Sequence, residues 1–360
     1  MLYAQSPMLM MDFNFLPTGI GSFPHTDAKE STGLVLKYFD KIPFWPQLPQ
    51  RSFLEGMATQ FSEGLPNFII NPEKKTFYID TEISQLDKGV TAFYEKYLAG
   101  DLSNFAISKE YAAGFYEIIH QVKSKRLAPS YIKGQITGPV TFGALITDES
   151  GKAIMHHPLL SDVLIKCLIM KARWQIKSIT NLGLKSIIFL DEPYLMGYGS
   201  AYIPLTREIV VKQLTEVINE IHKEDVLVGI HCCGNTDWSV ILETPIDILN
   251  FDAFGFMDKL LLYSDKLNEY INRGGIIAWG IVPSIMMDNA PSVEDMVSRL
   301  KNGIETMAKR GVDKERLIKQ SILTPSCGLG GLSETQAEER LKLLIDTFKA
   351  LPRIRHIKPA

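Results

Sequence analysis

The chain has 360 residues, of which 46% are apolar and 22% charged, so a soluble protein with a large buried core is expected. The net charge of −3 and the pI near 6.2 argue against a nucleic-acid partner, which needs a basic surface. No apolar run approaches the ~20 residues that span a bilayer, so no membrane association is expected. The length fits one α/β barrel, and we predict a single domain over 1–360.

The cysteine content and the N-terminal stretch bear on the cellular compartment. Four cysteines, two of them adjacent, are too few for a disulfide scaffold and indicate reduced thiols. Residues 1–10 show neither a basic segment nor a long apolar run, so no secretory signal is expected. The sequence therefore predicts a cytoplasmic protein.

Eight short, β-rich apolar runs end in Gly, Pro, Asn or Asp and predict strands. They span 18–24, 43–49, 131–139, 186–193, 226–234, 248–254, 276–283 and 321–328. The amphipathic stretches 207–223 and 293–310 lie between later strands and predict helices. Alternating strands and helices imply right-handed crossovers and a parallel sheet.

Nearly every predicted strand carries a polar or unusual residue at its carboxyl end. These residues are Ser22, Gln135, Asp191, His231, Asp252, Ser284 and Cys327. In a parallel barrel such ends meet on one face, where catalytic residues gather. Eight strands, with no G-x-G-x-x-G after the first, favour a closed barrel over an open doubly wound sheet. Region 51–126, between the second and third strands, is too long for a connection and predicts an insertion covering the barrel mouth.

The stretch G-I-H-C-C-G-N places one histidine before two adjacent cysteines. Strand alternation puts His231 and Cys233 on one face and turns Cys232 to the other. Cys327 ends a different strand, and one imidazole with two thiolates suits a zinc ion that keeps an open coordination position. The alternative is that these cysteines are small core residues, as we expect for Cys232 and Cys167.

The chain contains, in this order, T-G-I-G-S-F-P, G-Q-I-T-G-P-V-T, L-D-E-P, H-C-C-G-N and P-S-C-G-L. Together they resemble successive motifs of the catalytic domain of cobalamin-independent methionine synthases. H-x-C-G-N is also similar to the zinc motif of the methylcobamide:coenzyme M methyltransferases, in the superfamily of uroporphyrinogen decarboxylase. The resemblance implies a (β/α)8 TIM barrel in which Zn²⁺ binds the thiol of the acceptor. His231, Cys233 and Cys327 match its ligands. Asp252 is the expected fourth metal ligand, because it stands where methionine synthases have a longer glutamate as their fourth ligand.

The same resemblance implies substrate-binding residues. Asp191 matches the aspartate that binds the amino group of homocysteine, although a helix-capping role is its alternative. Ser22 and the backbone around Ile20 match positions that hold the amino-acid carboxylate. Glu192 either orients Asp191, binds substrate directly, or is a solvated turn residue. His25 is expected to assist catalysis at the methyl donor or to be a surface-turn histidine.

Two departures from the folate-using methionine synthases concern the donor. Leu145 lies near the position where those enzymes carry a tryptophan beside the pterin, and their N-terminal half has no counterpart here. Both favour a methylcorrinoid, which is not tightly bound because no D-x-H-x-x-G corrinoid motif occurs. The corrinoid is then free or carried by a partner protein. The sequence thus predicts zinc-dependent methyl transfer from a methylcorrinoid to homocysteine, giving methionine.

Three alternatives to this activity stay open. The first is the same reaction with coenzyme M or another small thiol as the acceptor. Against coenzyme M, its sulfonate would pair best with a cation, whereas this chain has Asp191 at that position. The second is a uroporphyrinogen decarboxylase-like lyase, which would need a basic N-terminal loop to bind the carboxylates of its substrate. The loop after Ser22 reads F-P-H-T-D and contains no arginine. The third alternative is a non-catalytic protein that binds zinc or a corrinoid.

Overall fold

The computed structural model describes residues 12–200, 205–287 and 291–351. The stretch 1–10, in which we expect no secretory signal, lies outside these residues, as do both ends of the predicted single domain. None of the helices in the described part of the chain has the length and apolar character needed to cross a membrane.

A parallel sheet forms the centre of the fold. Its strands are β1 (Leu16–Pro17), β4 (Tyr131–Thr137), β5 (Lys185–Asp191), β6 (Val226–Cys232), β7 (Ile248–Phe251), β8 (Ile276–Val282) and β9 (Ser321–Pro325). Their order is β1-β9-β8-β7-β6-β5-β4, which is a TIM-barrel-like α/β arrangement. β4, β6 and β8 are buried along their whole length, as strands with both faces covered must be.

The helices of the described residues alternate with these strands. They are α1 (Ala28–Tyr38), α2 (Ile83–Ala99), α3 (Ala113–Ser124), α4 (Pro139–Leu145), α5 (Pro158–Thr180), α6 (Arg207–Ile221), α7 (Trp238–Leu242), α8 (Ala253–Leu260), α9 (Ser264–Asn272), α10 (Val293–Lys309), α11 (Lys314–Lys319) and α12 (Glu334–Ala350). α10 and α12 begin at capping boxes, in which Ser292 and Ser333 accept hydrogen bonds from the first turn. The helices predicted over 207–223 and 293–310 are therefore confirmed as α6 and α10.

Six of the eight predicted strands are confirmed as β4 to β9, and the first two differ. The first strand lies at Leu16–Pro17, just before the predicted 18–24. Segment 43–49 forms no strand, but isolated parallel bridges join Phe44 to Lys133 on one side and Gln47 to Ser22 on the other. This segment reads P-F-W-P-Q-L-P, and its prolines lack the N–H groups that a continuous ladder requires. The sheet of the described residues accordingly has seven strands rather than eight.

Region 51–126 contains α2, α3 and an antiparallel hairpin of β2 (Phe68–Asn71) and β3 (Thr76–Ile79). The stretch K-T-F-Y-I-D contains β3. α2 packs on α5, and α3 packs on α1. Thr137, at the end of β4, donates a hydrogen bond to the carbonyl of Met57, so part of the region reaches the carboxyl end of the sheet. That the region covers a barrel mouth stays a prediction.

Alternate residues of the strands pack into two separate hydrophobic clusters. In β5, Ile188 and Leu190 belong to the large cluster between sheet and helices. Ile187 and Phe189 belong to a smaller cluster on the inner face of the sheet, together with Leu227, Ile248, Ile276 and other residues. Towards the carboxyl ends, the inner face changes to the buried polar side chains Gln135, Asp191, His231, Asn250 and Thr324. The site therefore lies above an apolar floor.

Candidate functional site

One imidazole and two thiols meet at the carboxyl end of the sheet. His231 lies in β6, Cys233 follows β6, and Cys327 lies just beyond β9. Ligand atoms of these three residues all lie within 4.8 Å of one another. Parallel β6 and β9 end on the same side, which explains why residues far apart in sequence converge. The structure thus brings the three predicted zinc ligands together.

Cys232 is separated from this group by strand alternation. Its side chain is fully buried in the cluster between sheet and helices, and its thiol hydrogen bonds to the carbonyl of Gly234. Burial raises the pKa of the Cys232 thiol to about 12, so it remains protonated. Cys167 is likewise buried in the core. The predicted packing roles of Cys232 and Cys167 are confirmed.

The tautomer of His231 is set by Asn250. The amide nitrogen of Asn250 donates to the carbonyl of Ala278 at 2.9 Å and to the hydroxyl of Thr324 at 2.8 Å. Its Oδ1 therefore faces His231 and accepts a hydrogen bond from Nδ1. The Nε2 atom of His231 is buried without a hydrogen-bond partner among the described residues, and its lone pair is available to a metal. This orphaned nitrogen fits a metal ligand.

Sequence reasoning missed Asn250, although a lone polar residue in I-L-N-F was a signal for it. We expect Asn250→Leu to weaken zinc binding about 10- to 100-fold, because the His231 ring loses the acceptor that orients it. Competition with a chromophoric chelator measures the affinity. Thr324→Val removes one bond to Asn250 and should give a smaller loss. Unchanged affinity in folded Asn250→Leu protein would contradict this role.

The two ligand thiols shift each other's pKa in opposite directions. The interaction with the Cys327 thiol, assisted by His231, lowers the pKa of Cys233 against the effect of burial. The pKa of Cys327 is raised, first because its thiol is held by the Cys233 thiolate and then by burial. Cys233 therefore ionises before Cys327, and metal binding must displace the proton that Cys327 retains.

Asp252 does not belong to the group formed by His231, Cys233 and Cys327. It is the N-cap of α8, where its Oδ1 accepts a hydrogen bond of 2.7 Å from the backbone N–H of Gly255. Burial raises the pKa of the Asp252 carboxyl, and the nearby Cys233 thiolate adds to this rise. Its role as a fourth metal ligand stays a prediction.

Asp191, the last residue of β5, is a buried carboxylate with an unsatisfied oxygen. Its side chain is 6% exposed, and its Oδ1 has no hydrogen-bond partner among the described residues. Burial raises the pKa of the Asp191 carboxyl, whereas electrostatic interactions with His231 and Lys133 lower it. A buried carboxylate with a free acceptor is suited to a cationic substrate group that donates hydrogen bonds.

Glu192 is fully buried, so the prediction of a solvated turn residue is wrong. Its oxygens accept hydrogen bonds from the backbone N–H groups of Val140 and Thr141 and from the Thr141 hydroxyl, at the start of α4. Burial raises the pKa of Glu192 to about 7 against these bonds. A Cβ at Gly138 would lie 2.3 Å from Oε1, so glycine is needed there. These three bonds occupy most of the acceptor capacity of the Glu192 carboxylate.

Ser22 lies against the glycine-rich loop that follows Cys327. Its carbonyl accepts a hydrogen bond of 2.7 Å from the N–H of Leu329. A Cβ at Gly330 would lie 2.1 Å from the Ser22 hydroxyl oxygen, so only glycine permits this approach. Ile20 is buried in the inner cluster. Ser22 is thus placed beside the loop that carries Cys327.

His25 does not belong to the group formed by His231, Cys233 and Cys327. It is 4% exposed, so the surface-turn alternative is wrong. Its ring lies beside Phe23, and its ligand atom lies within 4.8 Å of those of Glu30 and Glu334. Both glutamates are in first turns of helices, where acidic residues are favoured without any metal. A catalytic role for His25 stays a prediction.

The fold and the site define a TIM-barrel-like α/β protein in which one imidazole and two thiols at the carboxyl end of the sheet could hold a metal ion. No protein-family model matches the chain. It is 23% identical over 232 residues to the methionine synthase of Methanocaldococcus jannaschii, covering 63% of this chain and 68% of that protein.

Two solved structures share the fold. One is a B12-independent methionine synthase from Shewanella sp. W3-18-1 in complex with selenomethionine, with a TM-score of 0.59, 15% identity, and coverage of 94% of this chain and 98% of that one. The other is a methyltransferase from Methanosarcina mazei, with a TM-score of 0.53, 13% identity, and coverage of 94% of each chain. At these identities the structures establish a common fold.

Proposed function

We propose that this protein is a zinc-dependent methyltransferase that transfers a methyl group to the thiol of homocysteine, giving methionine. The observation that carries the proposal is the unpaired, buried Asp191 carboxylate beside the His231, Cys233 and Cys327 group. A metal there takes a thiol, and the carboxylate takes an ammonium group; homocysteine has both. The similarities to methionine synthases and a methyltransferase support methyl transfer as the reaction.

The residues of this chain would bind and orient the acceptor. The Nε2 atom of His231 and the thiolates of Cys233 and Cys327 would hold Zn²⁺. The zinc ion supplies a Lewis acid that stabilises the substrate as a thiolate, the nucleophilic form. Asp191 would receive the ammonium group, and the loop from Ile20 to Ser22 the carboxylate. Two anchored ends orient the sulfur for in-line attack, which depends on positioning more than on a general base.

The donor in this proposal is a methylcorrinoid, free or delivered by a corrinoid protein. Leu145, near the position of the pterin-stacking tryptophan in folate-using enzymes, is 38% exposed at the end of α4. The Shewanella protein is described as B12-independent, so a folate donor is the competing choice. We further propose that segment 43–49, although it forms no continuous strand, closes the barrel through its bridges to Lys133 and Ser22, and that region 51–126 covers the barrel mouth. Four free cysteines suit a cytoplasmic location.

A second candidate is the same chemistry with coenzyme M or another small thiol. The zinc-binding group suits any thiol, but the sulfonate of coenzyme M would face the Asp191 carboxylate. Two negative charges that face each other in a buried site raise the free energy of the complex. This repulsion favours homocysteine, an amino acid, as the acceptor.

Metal analysis combined with turnover assays tests the proposal. Methylcobalamin and methyltetrahydrofolate serve as donors, and homocysteine, coenzyme M and 2-mercaptoethanol serve as acceptors. We expect zinc to bind and methionine to form fastest from methylcobalamin and homocysteine. If the zinc-loaded protein methylates none of these thiols, and X-ray absorption shows zinc unaltered by thiol, the protein is a non-catalytic zinc protein.

A further inference from the structure

Lys133 is a fully buried lysine inside the sheet, which the chemistry above does not use. Its Nζ lies 3.3 Å from the Oε1 atom of Gln135 and 4.4 Å from the centre of the Phe189 ring. The amide nitrogen of Gln135 donates to the carbonyl of Trp45, so its oxygen is turned towards the ammonium group. Among the described residues, no carboxylate forms a salt bridge with Lys133.

The position of Lys133 in the sheet relates it to Asp191. In the register of β4 and β5, Gln135 is paired with Phe189, and Thr137 with Asp191. The ammonium group lies against Gln135 and Phe189, one inward-facing layer below Asp191. Strand geometry places successive inward-facing layers about 7 Å apart. Lys133 therefore contributes a positive charge directly beneath the unpaired carboxylate.

A buried ammonium group without an ion-pair partner is costly, and proteins keep such groups where another charge balances them. Burial lowers the pKa of Lys133 to about 8, and the attraction of Asp191 opposes that change. Gly229 makes room for the supporting ring, because a Cβ there would lie 2.5 Å from a Phe189 ring carbon. Lys133, Phe189 and Gly229 thus form one packed unit below the site.

We propose that Lys133 is a positioning residue for acceptor recognition: its buried charge balances Asp191 and keeps that carboxylate available to the amino group of the acceptor thiol. This inference rests on the proposed function. Lys133 itself touches no substrate, since its Nζ lies beneath the layer of Asp191. Its removal should therefore affect acceptors that carry an amino group and spare those that lack one.

The test uses the zinc-loaded, full-length protein and two ligands that differ in one group. Homocysteine carries the amino group, and 4-mercaptobutyrate is the same molecule without it. We expect Lys133→Met to weaken homocysteine binding about tenfold or more by calorimetry, through the lost charge balance. Binding of 4-mercaptobutyrate should change less than about threefold, and zinc content should remain unchanged.

Lys171 offers a matched control. It is also fully buried, and its Nζ has no hydrogen-bond partner among the described residues, but it lies in α5 outside the sheet. Lys171→Met should leave the preference for homocysteine over 4-mercaptobutyrate unchanged. If Lys133→Met does not fold, Phe189→Leu, which removes the ring supporting the ammonium group, should reduce the same preference.

The outcomes separate the inference from the proposed function. Equal weakening of both ligands, or no weakening of either, overturns the positioning role of Lys133. If the wild-type protein binds zinc and homocysteine but Lys133→Met keeps the full preference, only this inference fails. If the wild-type protein binds no thiol at its zinc, the proposed function itself fails.

Discussion

Cys327→Ser and Cys233→Ser proteins are expected to lose bound zinc and to transfer methyl groups more than about 100-fold more slowly than wild type. Loss of a residue that only hydrogen bonds to a metal ligand typically lowers metal affinity about 10- to 100-fold. Loss of a thiolate ligand itself should lower metal affinity more than that. A serine hydroxyl is a weak ligand because it stays protonated at neutral pH. Zinc content by elemental analysis and initial rates with homocysteine measure the two effects.

The control for this prediction is Cys232→Ser, because Cys232 is adjacent to Cys233 but faces the core. That variant should retain zinc and activity, while its stability falls because a hydroxyl enters an apolar cluster. Denaturant unfolding measures the stability. Zinc retained by Cys327→Ser, or lost by folded Cys232→Ser, would contradict the ligand set.

Asp191→Asn is expected to raise the KM for homocysteine strongly. Removing one member of a buried charge pair costs about 3–5 kcal/mol, because the remaining charge stays buried without a partner. This corresponds to an increase in KM of about 100-fold or more. Because the substituted amide is similar in shape to the carboxylate, zinc content should be unchanged. Steady-state kinetics over a range of homocysteine concentrations measure the effect.

The matched acceptor for Asp191→Asn is 4-mercaptobutyrate, which has no ammonium group to pair. Its KM should be unchanged or lower, because a negative charge has been removed near its carboxylate. A similar loss with both acceptors would indicate that Asp191 supports the structure rather than the amino group. Improved turnover of coenzyme M by this variant would add support, since its sulfonate would no longer meet a carboxylate.

Segment 43–49 and Glu192 show how local patterns can mislead. The apolar run P-F-W-P-Q-L-P predicts a strand, but its prolines reduce the pairing to isolated bridges at Phe44 and Gln47. Glu192 follows a strand and precedes a proline, a pattern typical of an exposed turn. It is instead buried, because the N–H groups at the start of α4 provide hydrogen bonds for its carboxylate. Those partners lie about fifty positions earlier, beyond any local pattern.

The sequence by itself determined the strand–helix alternation and the split between the faces of β6, because a period of two is a local property of the backbone. Alternation alone therefore separates Cys233 from Cys232. Only the tertiary structure decided that Asn250 orients His231, that an oxygen of Asp191 lacks a partner among the described residues, and that Lys133 lies beneath it. Each of these depends on side chains from different strands, and their hydrogen bonding and charge balance are set by distances that only the folded sheet defines.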